Sequence, residues 1–195
     1  MAECEALHAV LGIGQGVQAT HVMASVTVPG WAHAVVGALR ASGVRYVTHV
    51  PDTPLGHLLR LMEPDPEFDV TAATREEEAV GIAAGIALGG ARAAAMMQTS
   101  GLGNALNALA SLAVPYQIPL LLVISQRGEA GEWNVAQVPG GRMLRPSLDA
   151  LGIQHVTLAD EPEVDRAVRA AADLAFGTRF PAAVILSKRL TGWGT

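Results

Sequence analysis

The chain has 195 residues, half of them apolar, enough for a single domain with a full core. Its net charge of -5, with no basic block, argues against nucleic acid or an anionic membrane as the main partner. The single cysteine, Cys4, rules out a disulfide framework and points to a reducing cytoplasm, and no unbroken apolar run reaches the roughly 18 residues of a transmembrane helix.

Residues 1–28 carry GIGQG at Gly12 to Gly16, but no strong strand precedes it and the G-x-G-x-x-G spacing fails. This stretch reads as a disordered leader or a mis-assigned start, with Met23 as an alternative, and the domain as 29–195. From Trp31 to Ala41 apolar residues recur at helical spacing, with Gly43 as the expected C-cap. A strand, Tyr46 to Val50, follows and ends in HVPDTPLGHLL. Pro51 and Pro54 stop the strand, and Asp52 or Thr53 can cap a helix running to Met62. The same pair lies just past the carboxyl end of a parallel strand, where open α/β sheets bind ligands, so Asp52 and Thr53 are candidate substrate contacts. His49 and His57 fit no metal-ligand spacing.

After a short strand, Phe68 to Ala72, comes TREEEAVGIAAGIALGGARAAAMMQTSGLGN, Thr74 to Asn104. Three glutamates open an apolar helix from about Ala79 to Leu88. As first-turn acids they complement the helix macrodipole, with Thr74 and Glu77 forming a capping box. Alternatively, one of them faces inward and exchanges a proton with a bound cofactor. The strand Ala93 to Met97 then empties into a glycine turn at Gly101 and Gly103, from which a helix Ala105 to Ala113 departs. Ser100 and the free N–H groups of that turn are candidates to hold an anion or a polar cofactor edge.

The next strand, Ile118 to Ser125, is apolar on both faces and therefore central in a parallel sheet. It delivers Arg127 and Glu129, either an exposed ion pair or a clamp on an anionic substrate. A long loop from Ala130 to Arg142, a short helix Pro146 to Leu151, a strand His155 to Leu158, a helix Glu161 to Phe176 ending at Gly177, and a strand Ala182 to Leu186 complete the chain. Six strands alternating with helices predict an α/β fold with a doubly wound, mainly parallel, three-layer sheet.

In VPDTPL, EEEAVGIAAGIAL, MQTSGLGNALNALASL and IPLLLVISQRGE, in this order, the chain from Gly43 to Leu190 resembles the pyrimidine-binding (PYR) domain of thiamine diphosphate enzymes. It is most similar to the α subunit or N-terminal half of sulfopyruvate and phosphonopyruvate decarboxylases. The resemblance implies that Glu76 is the catalytic glutamate, which lies nine residues before a helix glycine, here Gly85. It implies that Gln98, Thr99, Ser100, Gly101, Leu102, Gly103 and Asn104 line the cofactor, and that Asp52, Thr53, Arg127 and Glu129 lie near a 2-oxo acid substrate. Such an enzyme also needs a diphosphate-binding domain whose Gly-Asp-Gly and downstream Asn hold magnesium, and no Gly-Asp-Gly occurs in this sequence. The resemblance therefore implies a β partner subunit, an α2β2 assembly, and no metal ligand on this chain. Phosphonopyruvate-type enzymes tend to carry Pro-Gln-His after RGE, where this chain has VAQV ending at Val138. A less charged 2-oxo acid, or acyloin-forming carboligation, is thus a second expectation. A non-catalytic α/β scaffold is the rival class, against which Glu76 speaks.

Overall fold

The computed structural model describes residues 27–192. The leader reading, with GIGQG and Met23, falls on residues 1–26 and lies outside those described. In chain order the elements are α1 (Gly30–Ala41), β1 (Tyr46–His49), α2 (Leu55–Met62), β2 (Asp69–Ala72), α3 (Glu76–Leu88) and β3 (Ala93–Gln98). Next come α4 (Thr99–Ala108) running on into a π-helical turn (Leu109–Ala113), β4 (Leu121–Ser125), α5 (Gln137–Ala150) and β5 (Gln154–Leu158). A 3-10 turn (Glu161–Glu163) leads into α6 (Val164–Thr178), and β6 (Ala182–Leu186) and the short α7 (Lys188–Thr191) close the chain.

The six strands pair in the order β2-β1-β3-β4-β6-β5, every pair parallel. Alternation along each strand divides the core in two. Val47, Met96, Val123 and Val184 face α1, α2 and α6, while Ala95, Met97, Leu122, Ile124 and Ile185 face α3, α4 and α5. This is the three-layer, doubly wound architecture expected from the sequence, with every strand parallel. Strand β4 is buried at all five residues, because both of its faces and both of its edges are covered. The order reverses between β1 and β3: the chain leaves β1 for β2 at one edge and returns to lay β3 on the other side of β1. Outside the carboxyl ends of the strands, that reversal opens a crevice.

Five local expectations are corrected. The Gly101–Gly103 segment is not a turn: α4 begins at Thr99 and both glycines are helical. The stretch Ala130 to Arg142 is a loop only to Ala136, since α5 is one helix of 14 residues containing Pro139 and Pro146. Pro139 sits in the first turn, where its missing N–H has no helical partner to lose. Gly141 is needed there for contact, as a Cβ would come within 2.8 Å of the Gly128 Cα. Neither Asp52 nor Thr53 caps α2 through its side chain, and Gly177 lies within α6, which ends at Arg179 in the left-handed region at φ 56. The capping box is also differently built, for it is the Glu78 carboxylate that accepts the Thr74 N–H, at 2.7 Å, while Glu77 pairs with Arg75.

Candidate active site at the β1/β3 crevice

Two polar clusters meet on the first turns of α4. Glu76 forms the first. The Thr48 hydroxyl on β1 donates to the Ala79 carbonyl at 2.9 Å, tying the start of α3 to the sheet. Glu76 is thereby directed at α4, where its Oε2 accepts the Asn104 Nδ2–H at 3.0 Å. Its carboxylate abuts Gly101: a Cβ on that glycine would sit 2.6 Å from Glu76 Cδ. Glycine inside a helix costs roughly 1 kcal/mol relative to alanine, and here the close approach of a carboxylate explains it. Glu76 is half-buried, and its Oε1 accepts no hydrogen bond among the described residues.

Asp52 forms the second cluster. Its Oδ1 accepts the Gln98 Nε2–H at 2.7 Å and its Oδ2 the Ser125 hydroxyl at 2.6 Å, so one carboxylate joins the ends of β1, β3 and β4. Gln98 Oε1 in turn accepts the Ser100 hydroxyl at 2.6 Å. The side chains of Thr99 and Leu102 are fully buried. Thr99 spends its hydroxyl inside the fold, donating to the Ser125 carbonyl at 2.9 Å and accepting the Arg127 N–H at 3.0 Å. What these two residues offer a ligand is backbone. Gly103 is exposed, with Met143 of α5 at 3.1 Å from where a Cβ would be. Thr53 is exposed as well.

Arg127 and Glu129 are not paired with each other, nor are they free. The Arg127 guanidinium grips Glu132 with two bonds, Nε at 2.8 Å and Nη2 at 2.9 Å, and both side chains are buried. That hydrogen bonding, helped by the N–H groups of Asn134 and Gly128, holds the Glu132 carboxyl down to about 2 against desolvation. Glu129 accepts the Lys188 N–H at 2.6 Å and so fixes the start of α7. The sequence reading missed Glu132 and the Ser125 hydroxyl. The signals were an acid inside an uncharged loop and a polar residue ending an apolar strand.

His49 is buried with Nδ1 unpartnered, and desolvation, outweighing the nearby Glu63 charge, lowers its pKa. His57 is lowered too, by burial and then by Arg60, and stands edge-on to Trp31 with ring centroids 5.9 Å apart. Among the described residues no group of three or more His, Cys, Asp or Glu could hold a metal, and no helix is long and apolar enough to cross a membrane. A cleft of about 390 Å³ lies elsewhere, between β5 and α6, and none of the residues above lines it.

Residues 30–137 match the family model of the thiamine pyrophosphate enzyme, N-terminal TPP binding domain. The chain belongs to this family. Its cofactor is thiamine pyrophosphate, also called thiamine diphosphate. Among relatives of this thiamine pyrophosphate enzyme domain, the sulfopyruvate decarboxylase subunit alpha of Methanocaldococcus jannaschii is 39% identical over 152 residues, covering 78% of this chain and 90% of that one. The protein of the same name from Methanococcus maripaludis is 37% identical over 153 residues, covering 78% and 92%. The name of both, subunit alpha, implies a partner subunit for those proteins. The phosphonopyruvate decarboxylase of Streptomyces viridochromogenes is 32% identical over 164 residues, with 80% of this chain matched and 41% of that protein. In fold the chain resembles the 2-oxoglutarate:ferredoxin oxidoreductase from Magnetococcus marinus, with a TM-score of 0.65 at 16% identity over 83% of this chain and 29% of that one.

Proposed function

We propose that this chain is the alpha subunit of a heteromeric thiamine diphosphate-dependent 2-oxo acid decarboxylase, similar to sulfopyruvate decarboxylase, in which Glu76 activates the cofactor's aminopyrimidine. The observation that carries the reading is the setting of Glu76. One carboxylate oxygen is anchored by Asn104, the group lies on Gly101, and the other oxygen is left free to accept a ring N–H. These residues fit the cofactor: an acceptor beside a helix start that supplies backbone N–H groups suits a polar heterocycle. Bound there, the cofactor supplies an electron sink for decarboxylation. Glu76 holds and returns a proton at the ring nitrogen, Gln98 to Asn104 line the ring, and Asp52 meets the substrate. Arg127 and Glu129 act by shaping the loop after β4 and the start of α7.

The diphosphate and magnesium are assigned to a β subunit, in an α2β2 assembly within the cytoplasm. Two features of α3 support docking of a partner. Beyond its three glutamates the helix is uncharged to its end, where Leu88 is 70% exposed. Gly81 and Gly85 are exposed, and a Cβ on either would meet nothing within 4 Å, so nothing inside this chain requires glycine there. A less charged 2-oxo acid, or carboligation, is the second reading, favoured by the commitment of Arg127 to Glu132.

The test is carbon dioxide release from sulfopyruvate, phosphonopyruvate and pyruvate, with and without an aldehyde, by the chain copurified with its partner. Turnover is expected to require thiamine diphosphate and to vanish in Glu76→Gln with folding and assembly intact. Unchanged turnover in that variant would remove Glu76 from the mechanism.

A further inference from the structure

Asp52 is held in an unusual way for a half-exposed carboxylate: each oxygen takes a hydrogen bond from an uncharged donor on a different strand end, Gln98 on β3 and Ser125 on β4. Both donors are themselves fixed. Gln98 cannot flip its amide without losing the Ser100 hydroxyl on its Oε1. Ser125 is fully buried, with its own carbonyl taken by Thr99, whose hydroxyl also holds the Arg127 N–H. Asp52 and Ser125 are 73 residues apart in the chain, so the contact exists only because β4 lies one strand beyond β3. The arrangement has a chemical consequence. Among the described residues no cation forms an ion pair with Asp52: Arg127 feels its charge, but the guanidinium is closed on Glu132, and Gln98 Nε2 can only donate. Asp52 is therefore held by two donors as an acceptor, and its half-exposed carboxylate keeps lone pairs to spare.

We propose that Ser125 is a positioning residue: through its hydrogen bond, and in concert with Gln98, it fixes Asp52 as a hydrogen-bond acceptor facing the substrate. This rests on the reading that Asp52 meets the substrate. Without the serine hydroxyl, one oxygen of Asp52 loses its anchor and the carboxylate swings toward solvent. A misplacement of about 1 Å at a reacting centre can cost up to about 100-fold in rate.

The experiment is a double-variant cycle on the chain copurified with its partner subunit, read as kcat and KM separately, with thiamine diphosphate affinity measured by fluorescence quenching. Ser125→Ala is expected to lower kcat about 10-fold, with cofactor affinity and melting temperature near those of the parent. Ser125→Thr, which restores the hydroxyl, recovers most of the loss. In an Asp52→Asn background Ser125→Ala should have no further effect, because its action passes through the carboxylate. Additive losses in the double variant, or a Ser125→Ala enzyme with parental kcat, would overturn the positioning role while leaving an impaired Asp52→Asn to stand for the site. Parental turnover in Asp52→Asn would instead overturn the placing of Asp52 against the substrate. If Ser125→Ala does not fold, Ser125→Cys, which keeps the volume but is only a weak donor, takes its place, and the same non-additivity with Asp52→Asn is expected; additivity there also overturns the proposal.

Discussion

Gly101 decides more at this site than its lack of a side chain suggests. A methyl group there would occupy the space of the Glu76 carboxylate, so Gly101→Ala should push Glu76 off Asn104 without unfolding α4, where alanine is the better helix former. The expected result is turnover down by about 100-fold at an unchanged or slightly raised melting temperature, measured on the enzyme with its partner. Ser100 could be read from the sequence as a site candidate because it follows a strand end, and Gln98 and Asn104 entered through the family resemblance. Which of them touches Glu76 and which touches Asp52 could not be read there. That depends on the rotation of α4 about its axis, set by Leu102 and Ala105 reaching the core.

At the scale of elements, two features carry opposite predictions. The loop between β4 and α5 is built around a buried ion pair, and removing one partner leaves a charge unpaired. Glu132→Gln should cost about 3 kcal/mol of stability in urea unfolding. Because the carboxyl is depressed from 4.5 to about 2, the pair contributes fully above pH 4.5 and is lost as pH falls toward 2. The variant's stability should accordingly be flatter than the parent's across that range. Helix α3, in contrast, tolerates change on its own. Gly85→Ala should stabilise the isolated chain by roughly 0.5–1 kcal/mol, since its Cβ meets open space. Gly85→Leu should leave the isolated chain folded yet block assembly, read by size-exclusion chromatography with the partner; normal assembly would move the interface elsewhere.

For the whole molecule, the imidazoles of buried His49 and half-buried His57 set the response to mild acid. Burial lowers the pKa of His49 and of His57, so both resist protonation in the fold while the unfolded chain takes up protons at the ordinary 6.5. Their contribution is intact above pH 6.5 and falls as pH drops below it. Melting temperature should decline between about pH 6.5 and 5, and less so in His49→Gln. Equal pH dependence in parent and variant would exclude His49 as the source.

The order of elements was legible in the sequence because each element is written locally. The apolar run of β4 marks a central strand, the spacing in α1 a helix, and Pro51 and Pro54 the end of β1. The motifs after β1 and β3 also placed the candidate residues at one edge, since parallel strands carry their following loops to the same side. Tertiary structure alone decided the partners. Glycines at Gly101, Gly103 and Gly141 look like turns in a linear reading, but each is where another segment comes close. Arg127 was expected to pair with Glu129 or clamp a substrate until the fold brought Glu132 back upon it, and Ser125 looked like a strand end until it met Asp52 across two strands. Propensity and periodicity act over a few residues, whereas these contacts depend on how distant segments stack, and only the packed sheet fixes that.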